Sequence, residues 1–291
     1  KALTGGGDGT ENFTYTLTDA DGDTSTATLV LQIHNNDDPV TIDGLNVAGG
    51  ELTVFEKNLE LGSAPDSTAL TQNGTFTITA LDGVQTLTVG GIAVVSGGVS
   101  AGFPQSIATG LGNTLTITGF DATTGVVSYS YTLNATETHA NADGANNLPE
   151  QFAVTVVDDN GTTATGSLDV NVIDDVPQAV NDSNADTASE TLLTLNGNVL
   201  TNDVQGADRV ATGPITPGTF AGTYGTLVLN ANGTYTYTLN TTDADFKALT
   251  GGGDGTENFT YTLTDADGDT STATLVLQIH NNDDPVTIDG L

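Results

Sequence analysis

The chain has 291 residues, and its 37 acidic residues against four lysines and arginines give a formal net charge of −33 at pH 7. A charge of this sign and size argues against nucleic acid or an anionic membrane surface as a partner, because like charges repel. There is no cysteine, which excludes a disulfide framework, a thiolate metal site and a cysteine nucleophile.

The composition favours strands over helices. The sequence has 36 glycines, only 5% aromatic residues, and neither tryptophan nor methionine. Short segments rich in Thr and Val, separated by Gly, Asn and Asp, are typical of antiparallel strands joined by tight turns. We therefore predict an all-β protein built of β-sandwiches, with almost no helix.

The first stretch of the chain is repeated near its end. Residues 1–45 and 247–291 are identical, so the sequence repeats with a period of 246 residues. Each copy contains two segments in which apolar side chains alternate with Thr, around an acidic turn, as expected of a half-buried hairpin. We interpret 1–39 as the second half of a sandwich, and predict that it stays poorly packed or completes its sheet against another chain.

Two complete sandwiches are predicted, at 40–176 and 177–285. The second contains residues 247–285 of the repeated stretch, and 286–291 would begin the next unit. The second halves of the two sandwiches correspond. Glu150-Gln-Phe matches Glu257-Asn-Phe, and Asp158-Asp-Asn-Gly matches Asp265-Ala-Asp-Gly. The two domains are therefore interpreted as distant copies of each other.

Several motifs carry a resemblance to known families. The hairpin from Phe259 to Leu275, followed by Asn282-Asp-Asp-Pro, resembles the last hairpin and linker of cadherin-like and VCBS-type repeats. The segment Asn198–Asp203, preceded by Ala179–Asp182, is similar to the opening of the same bacterial repeats. The segment Val54–Leu59, with its downstream acidic turns, resembles tandem repeats of giant type I secreted RTX adhesins.

The resemblance implies tandem Ig-like (cadherin-like) antiparallel β-sandwiches in an elongated array. It also implies a location outside a bacterial cell and a non-enzymatic role as extender domains of a surface adhesin, supporting cell adhesion and biofilm formation. Ca²⁺ bound at the junctions between neighbouring repeats would stiffen the array.

The acidic turns are the candidate metal sites. In a sandwich whose last strand leaves at the far end, the preceding hairpin lies beside the linker from the previous domain. Converging carboxylates and carbonyls would there supply the six to eight oxygens that Ca²⁺ accepts. One site would combine Asp158, Asp159 and Asn160 with Asp37 and Asp38. The other would combine Asp265, Asp267 and Asp269 with Asp174 and Asp175.

Further candidate ligands lie near the domain starts or belong to the repeated copies: Glu56, Glu190, Asp182, Asp203, Asp19, Asp21, Asp23, Asp283 and Asp284. The alternative interpretation of each Asp-x-Asp-Gly is an ordinary turn that needs no metal. The histidines, His34, His139 and His280, have no second histidine at ligand spacing, so the sequence predicts no zinc site.

Catalysis is not indicated, because no nucleophile motif accompanies the many Ser, Thr and Asp residues. A second functional hypothesis is that the domains themselves bind surface glycans or copies of themselves in a filament. The long Gly-rich stretch 90–112 suggests it, since a spacer does not require such an insert.

Overall fold

A computed structural model describes residues 6–141 and 144–282. By its internal contacts the chain forms two compact units that interleave along the sequence. The first comprises 1–53, 71–132 and 149–171, and the second comprises 54–70, 133–148 and 172–291. The predicted domain boundaries at 39, 176 and 285 remain predictions.

The prediction of an all-β fold is confirmed, because strands account for nearly all regular structure in the described residues. The strands up to residue 173 are β1 (Asp8–Thr18), β2 (Thr24–His34), β3 (Thr41–Asp43), β4 (Leu52–Phe55), β5 (Thr71–Thr79), β6 (Val84–Val89), β7 (Ile92–Ser96), β8 (Val99–Ser100), β9 (Gln105–Ala108), β10 (Thr114–Asp121), β11 (Val126–Thr132), β12 (Asn147–Asp158) and β13 (Thr163–Ile173). One 3-10 turn, Glu56–Asn58, follows β4.

From residue 174 to residue 282, where the description ends, the chain adds seven strands and one short helix. The strands are β14 (Asp182–Ala188), β15 (Thr194–Asn198), β16 (Gly218–Ala221), β17 (Gly225–Leu229), β18 (Thr234–Leu239), β19 (Asp254–Thr264) and β20 (Thr270–His280). The helix α1 (Ala244–Ala248) is capped by the Asp243 side chain, and a 3-10 turn spans Val199–Thr201. No helix among the described residues is long and apolar enough to cross a membrane.

The first unit is built on two large sheets. One has the order β3-β5-β11-β10-β9 and the other β4-β13-β12-β6-β7-β8. Alternate side chains of β11 are buried, as the period of two in its sequence predicts. Tyr131 of one sheet contacts Phe152 of the other, with ring centroids 6.3 Å apart. The Gly-rich stretch 90–112 contributes strands β7, β8 and β9 to these sheets.

The second unit repeats this plan with fewer strands. Its sheets have the orders β14-β20-β19 and β15-β18-β17-β16. Tyr237 contacts Phe259 across them, with ring centroids 6.0 Å apart. In both units the central tyrosine donates a hydrogen bond to a buried glutamate, Tyr131 to Glu150 at 2.5 Å and Tyr237 to Glu257 at 3.1 Å. These matching contacts agree with the correspondence found in the sequence.

The repeated hairpin is found in two environments. Strands β1 and β2 pair in the same register as β19 and β20, since Asp8 is opposite His34 and Asp254 is opposite His280. In the second unit the apolar face is buried, and Leu263 is 0% exposed. In the first unit the equivalent Leu17 is 70% exposed. Within the described residues, β1 and β2 form a sheet of their own that no other strand joins.

Candidate metal centre

The acidic turn between β19 and β20 is held by its own backbone. Asp265 Oδ1 accepts hydrogen bonds from the backbone N–H of Gly268 at 3.1 Å and of Asp269 at 2.7 Å. Gly268 adopts the left-handed region, at φ +95°, where a side chain would be strained. This much is the ordinary turn chemistry of Asp and Gly.

The turn nevertheless gathers more carboxylates than it needs. Asp265, Asp267 and Asp269 place one oxygen each within 4.8 Å of one another, and all three residues are buried. Asp267 belongs to a second such group with Asp174 and Asp208. All five residues belong to the second unit. The prediction that Asp174 approaches this turn therefore agrees with the structure, whereas Asp208 was not predicted.

Many of these oxygens lack a hydrogen-bond donor. In this cluster, the buried carboxylate oxygens without a partner among the described residues are Asp174 Oδ2, Asp208 Oδ1, Asp265 Oδ2, both oxygens of Asp267, and Asp269 Oδ2. Leaving a buried acceptor unsatisfied costs about 1–3 kcal/mol, and more for a charged group. A set of such atoms directed together therefore points to a ligand that they share.

The electrostatics lead to the same conclusion. Burial raises the pKa of Asp265 to about 8, of Asp174 to about 7 and of Asp208 to about 6, with further increases from neighbouring carboxylates. Within 6–141 and 144–282, no Lys or Arg forms a salt bridge with these groups. Arg209 donates instead to the backbone carbonyls of Gly206 and Leu61. The cluster thus requires protons or a bound cation for charge balance.

A neighbouring group shares Asp174. Glu56 and His139 lie with Asp174 in a third set of potential ligand atoms within 4.8 Å of one another. Glu56 is 0% exposed, and burial raises its pKa to about 7. Its Oε1 accepts a hydrogen bond from the Glu137 backbone N–H at 2.6 Å, while Oε2 has no partner among the described residues.

A cavity of about 330 Å³ adjoins the carboxylates, and Glu137, Asp208 and Asp267 contribute to its lining. Asp175, predicted as a ligand, is oriented differently: it accepts hydrogen bonds from the Ser63 N–H at 2.7 Å and the Ser63 hydroxyl at 2.5 Å. Asp269 Oδ1 accepts from the Gly144 backbone N–H at 2.9 Å.

A smaller acidic group lies in the first unit. Asp37, Asp82 and Asp158 place oxygens within 4.8 Å of one another, so Asp158 and Asp37 meet as predicted. Thr162 donates its hydroxyl hydrogen to Asp37 Oδ1 at 3.0 Å, and Asp38 N–H donates to Asp82 Oδ2 at 3.1 Å. Of the two other predicted ligands, Asp159 Oδ1 accepts from Gln85 Nε2 at 3.2 Å, and Asn160 donates its backbone N–H to Asp158 Oδ1 at 2.9 Å.

The remaining predicted ligands fall outside these groups. The Tyr261 hydroxyl lies within hydrogen-bond distance of Asp182 Oδ2, at 2.8 Å, and of Asp203 Oδ2, at 3.0 Å, and donates its single hydrogen to one acceptor at a time. Glu190 Oε2 accepts from the Asn282 backbone N–H at 2.9 Å. Among the residues that the structure describes, the exposed turn of the first hairpin brings together its own carboxylates and no others: Asp19, Asp21 and Asp23. Asp283 and Asp284 lie outside the described residues.

Three residues of the groups escaped sequence reasoning. Asp82 stands in Leu81-Asp82-Gly83, a sequence that predicts a turn but by itself does not indicate a metal ligand. Asp208 lies in an irregular loop without an acidic neighbour, and His139 lies in another loop. The partners of these last two are distant in sequence, so spacing along the chain contained no signal for them.

Residues 174–281 match the bacterial cadherin-like domain family. No curated protein sequence gives a significant match. Similar solved structures include mouse clustered PcdhgC3 EC1-3, at 13% identity and TM-score 0.29, covering 94% of this chain and 77% of that one.

Two others are bacterial. A 1.5-MDa ice-binding adhesin, studied for host cell surface retention, is 14% identical with TM-score 0.26, covering 94% of this chain and 74% of that one. A Ca²⁺-stabilized adhesin that helps an Antarctic bacterium reach out and bind ice is 17% identical with TM-score 0.23. The match covers 94% of this chain and 56% of that one. The sequence match is thus to a bacterial cadherin-like domain, over residues 174–281.

Proposed function

We propose that this chain supplies calcium-stabilised structural domains, extenders of a large bacterial surface adhesin, and that it is not an enzyme. The observation that carries the proposal is the set of buried carboxylate oxygens of Asp174, Asp208 and Asp265–Asp269 that converge without a hydrogen-bond donor or a Lys or Arg salt bridge in the described chain. The match of 174–281 to a bacterial cadherin-like domain supports it.

Calcium is the cation that fits this donor set. The groups around Asp267 present only oxygen atoms, and Ca²⁺ takes six to eight oxygens in a flexible arrangement. Mg²⁺ requires a nearly ideal octahedron of shorter bonds and keeps several of its waters. Because the donors lie on a linker and on separate loops, a larger and less demanding ion is favoured.

The proposed ion would tie together three separate stretches of the chain. Asp174 follows strand β13, Asp208 lies in a loop after β15, and Asp265–Asp269 is the turn between β19 and β20. The predicted boundary at residue 176 places Asp174 in one repeat and the other two stretches in the next. Calcium would accordingly resist bending where successive repeats meet, as an extender requires.

Binding would also replace the missing disulfides as a source of stability. Extracellular calcium modules have dissociation constants of about 10⁻⁴ to 10⁻³ M, so such sites are empty at cytosolic calcium and filled outside the cell. Free energy of binding then contributes directly to folding. This dependence suits a chain exported unfolded by a type I route, in line with the resemblance to RTX adhesins.

The repeated hairpin supplies a matched control for the test. The triple variant Asp265→Asn, Asp267→Asn, Asp269→Asn removes the buried carboxylates, and Asp19→Asn, Asp21→Asn, Asp23→Asn changes the identical but exposed turn. We expect Ca²⁺ to raise the melting temperature of wild type and of the second variant, but not of the first. Equal melting temperatures of the wild type in calcium and in chelator would contradict the proposal.

Stiffening needs its own measurement. Small-angle X-ray scattering of the full chain should give a narrower distribution of interatomic distances in Ca²⁺ than in chelator. The first triple variant should resemble the chelated wild type under both conditions. If calcium raises the melting temperature without changing the scattering, the site stabilises the fold but does not act as a stiffener.

A second candidate function is self-association through the first hairpin. Its apolar face includes Phe13, Tyr15 and Leu17, which are 51%, 59% and 70% exposed, whereas the identical face of β19 and β20 is buried by the second unit's other sheet. Exposed apolar surface of this kind marks an interaction site. A second copy of the chain, presenting the same face, is the partner we propose.

Sedimentation velocity tests whether the chain forms a dimer through the first hairpin. Leu17→Lys with Leu29→Lys should shift a concentration-dependent dimer to monomer. Thr14→Lys with Thr28→Lys, on the opposite face of the same strands, should not. A wild type that stays monomeric throughout the concentration series would rule this surface out as a self-association site.

A further inference from the structure

His139 differs from the other histidines in its environment. Its side chain is 1% exposed, whereas those of His34 and His280 are 59% and 38% exposed and each lies 2.7 Å from an exposed aspartate. A buried imidazole requires partners for both ring nitrogens, or a ligand in place of one of them. The two nitrogens of His139 meet very different surroundings.

One nitrogen is fixed by an amide. Asn146 Nδ2 donates to the Ala140 carbonyl at 3.1 Å, which assigns the orientation of the amide group. Asn146 Oδ1 consequently faces His139 Nδ1 at 2.8 Å. Since a carbonyl oxygen only accepts, Nδ1 carries a proton and donates it. The lone pair of a neutral ring is then on Nε2.

The other nitrogen faces carboxylates. His139 Nε2 has no hydrogen-bond partner in the described chain and lies 3.4 Å from Glu56 Oε1. Asp174 completes the group, and both its Oδ2 and Glu56 Oε2 lack donors among the described residues. All three residues are more than nine-tenths buried. A lone pair held against two buried carboxylates is repulsive unless a positive charge lies between them.

We propose that Glu56, His139 and Asp174 bind a divalent transition ion such as Zn²⁺, beside the calcium. Ca²⁺ is ligated by oxygen, while imidazole nitrogen is a preferred ligand of zinc. Bonds of about 2.1 Å at tetrahedral angles separate two donor atoms by roughly 3.4 Å, which is the spacing of His139 Nε2 and Glu56 Oε1. Asn146 acts as a positioning residue that fixes the tautomer, as outer hydrogen bonds do for metal-bound histidines.

The two ions would share Asp174, which belongs both to this group and to the group of Asp208 and Asp267. The inference rests on the proposed calcium site only through this shared carboxylate. Zinc binding can be measured with calcium present or absent, so failure of one proposal is distinguishable from failure of the other. The competing explanation of the same geometry is a protonated imidazole paired with Glu56 and no second ion.

The test uses the full chain with His34→Gln and His280→Gln, which leaves His139 as the sole histidine. After chelation and saturation with Ca²⁺, calorimetric titration should show one Zn²⁺ bound per chain without release of Ca²⁺. X-ray absorption of the zinc-loaded protein should then show one imidazole among oxygen ligands. Absence of zinc binding, or a zinc shell of oxygen only, would overturn the proposal.

Variants in the same background separate ligation from folding. His139→Gln and Glu56→Gln each remove a metal ligand, and should weaken zinc binding by more than the about 10- to 100-fold typical of losing an outer-shell partner. The rise in melting temperature with Ca²⁺ should persist in His139→Gln, as evidence that its fold is intact, and an unchanged circular dichroism spectrum would report the fold of Glu56→Gln. Unchanged zinc affinity in His139→Gln would overturn the inference. If His139→Gln fails to fold, the imidazole signal of the parent protein decides the question on its own.

Discussion

At the scale of single residues, identical side chains have different chemistry in the two copies of the hairpin. Asp265 is 3% exposed, and burial raises its pKa to about 8. Its counterpart Asp19 is fully exposed, and hydrogen bonds from its own turn lower its pKa. Sequence alone could identify both as turn residues. It could not tell them apart, because the difference arises from what packs around the turn.

The raised pKa values predict how stability depends on pH once calcium is removed. A carboxyl whose pKa is higher in the folded than in the unfolded state binds more protons when folded. Its stabilising contribution to the free energy of unfolding is therefore fully present below its unfolded-state pKa, near 4. That contribution is lost as the pH rises through its folded-state pKa. The loss is complete near the folded-state pKa of each group, which is about 6 for Asp208, about 7 for Asp174 and about 8 for Asp265.

In chelator we therefore expect the melting temperature to fall as the pH rises from about 4 to about 8. Calcium should remove most of this dependence, since the ion replaces the protons. Replacing Asp265, Asp267 and Asp269 with Asn should reduce this pH dependence without calcium, because only the part due to burial of Asp174 and Asp208 remains. The same change at Asp19, Asp21 and Asp23 should leave it intact. A chelated wild type that is as stable or more stable at the higher pH would contradict the assignment.

At the scale of elements, local patterns were sufficient to predict the strands and turns. Alternation in Thr260–Leu263 and Val126–Tyr131 predicts half-buried strands, and both segments have them. Elements that meet through long connections were harder to predict. The parallel pairing of β14 with β20 and the approach of His139 to Glu56 depend on how loops fold back, and no short-range spacing encodes this.

The two hairpins make a matched pair for measuring what packing contributes to one element. Leu263→Ala removes a side chain that is 0% exposed, and should lower the free energy of unfolding by about 2–5 kcal/mol. Leu17→Ala makes the same change in the same local sequence, at a side chain that is 70% exposed. This variant should change the free energy of unfolding by no more than about 0.5 kcal/mol. Chemical denaturation followed by circular dichroism would measure both.

Comparable losses from the two leucine substitutions would show that the first hairpin is covered in solution. That result would favour the proposed association of two copies through this face. A loss at Leu17 that grows with protein concentration would identify a second chain as the cover, since intermolecular contacts obey mass action.

At the scale of the whole molecule, charge is the dominant feature. A net charge of −33 favours solubility but destabilises a compact state by self-repulsion. The acidic groups are concentrated in part at turns, in the groups around Asp158 and Asp267. Bound divalent cations would neutralise charge where it is most buried, so folding and calcium binding should be coupled across the chain.

This coupling has a magnitude that can be checked. For one site with a dissociation constant of about 0.1–1 mM, about 10 mM Ca²⁺ should stabilise the fold by about 1.4–2.7 kcal/mol, and further sites should add to this. The chelated chain should respond much less to Mg²⁺ at the same concentration, because the carboxylate groups do not force an octahedron. Chemical denaturation at constant ionic strength measures the difference. If NaCl of equal ionic strength stabilises the chain as much as Ca²⁺ does, general screening rather than a bound ion accounts for the effect.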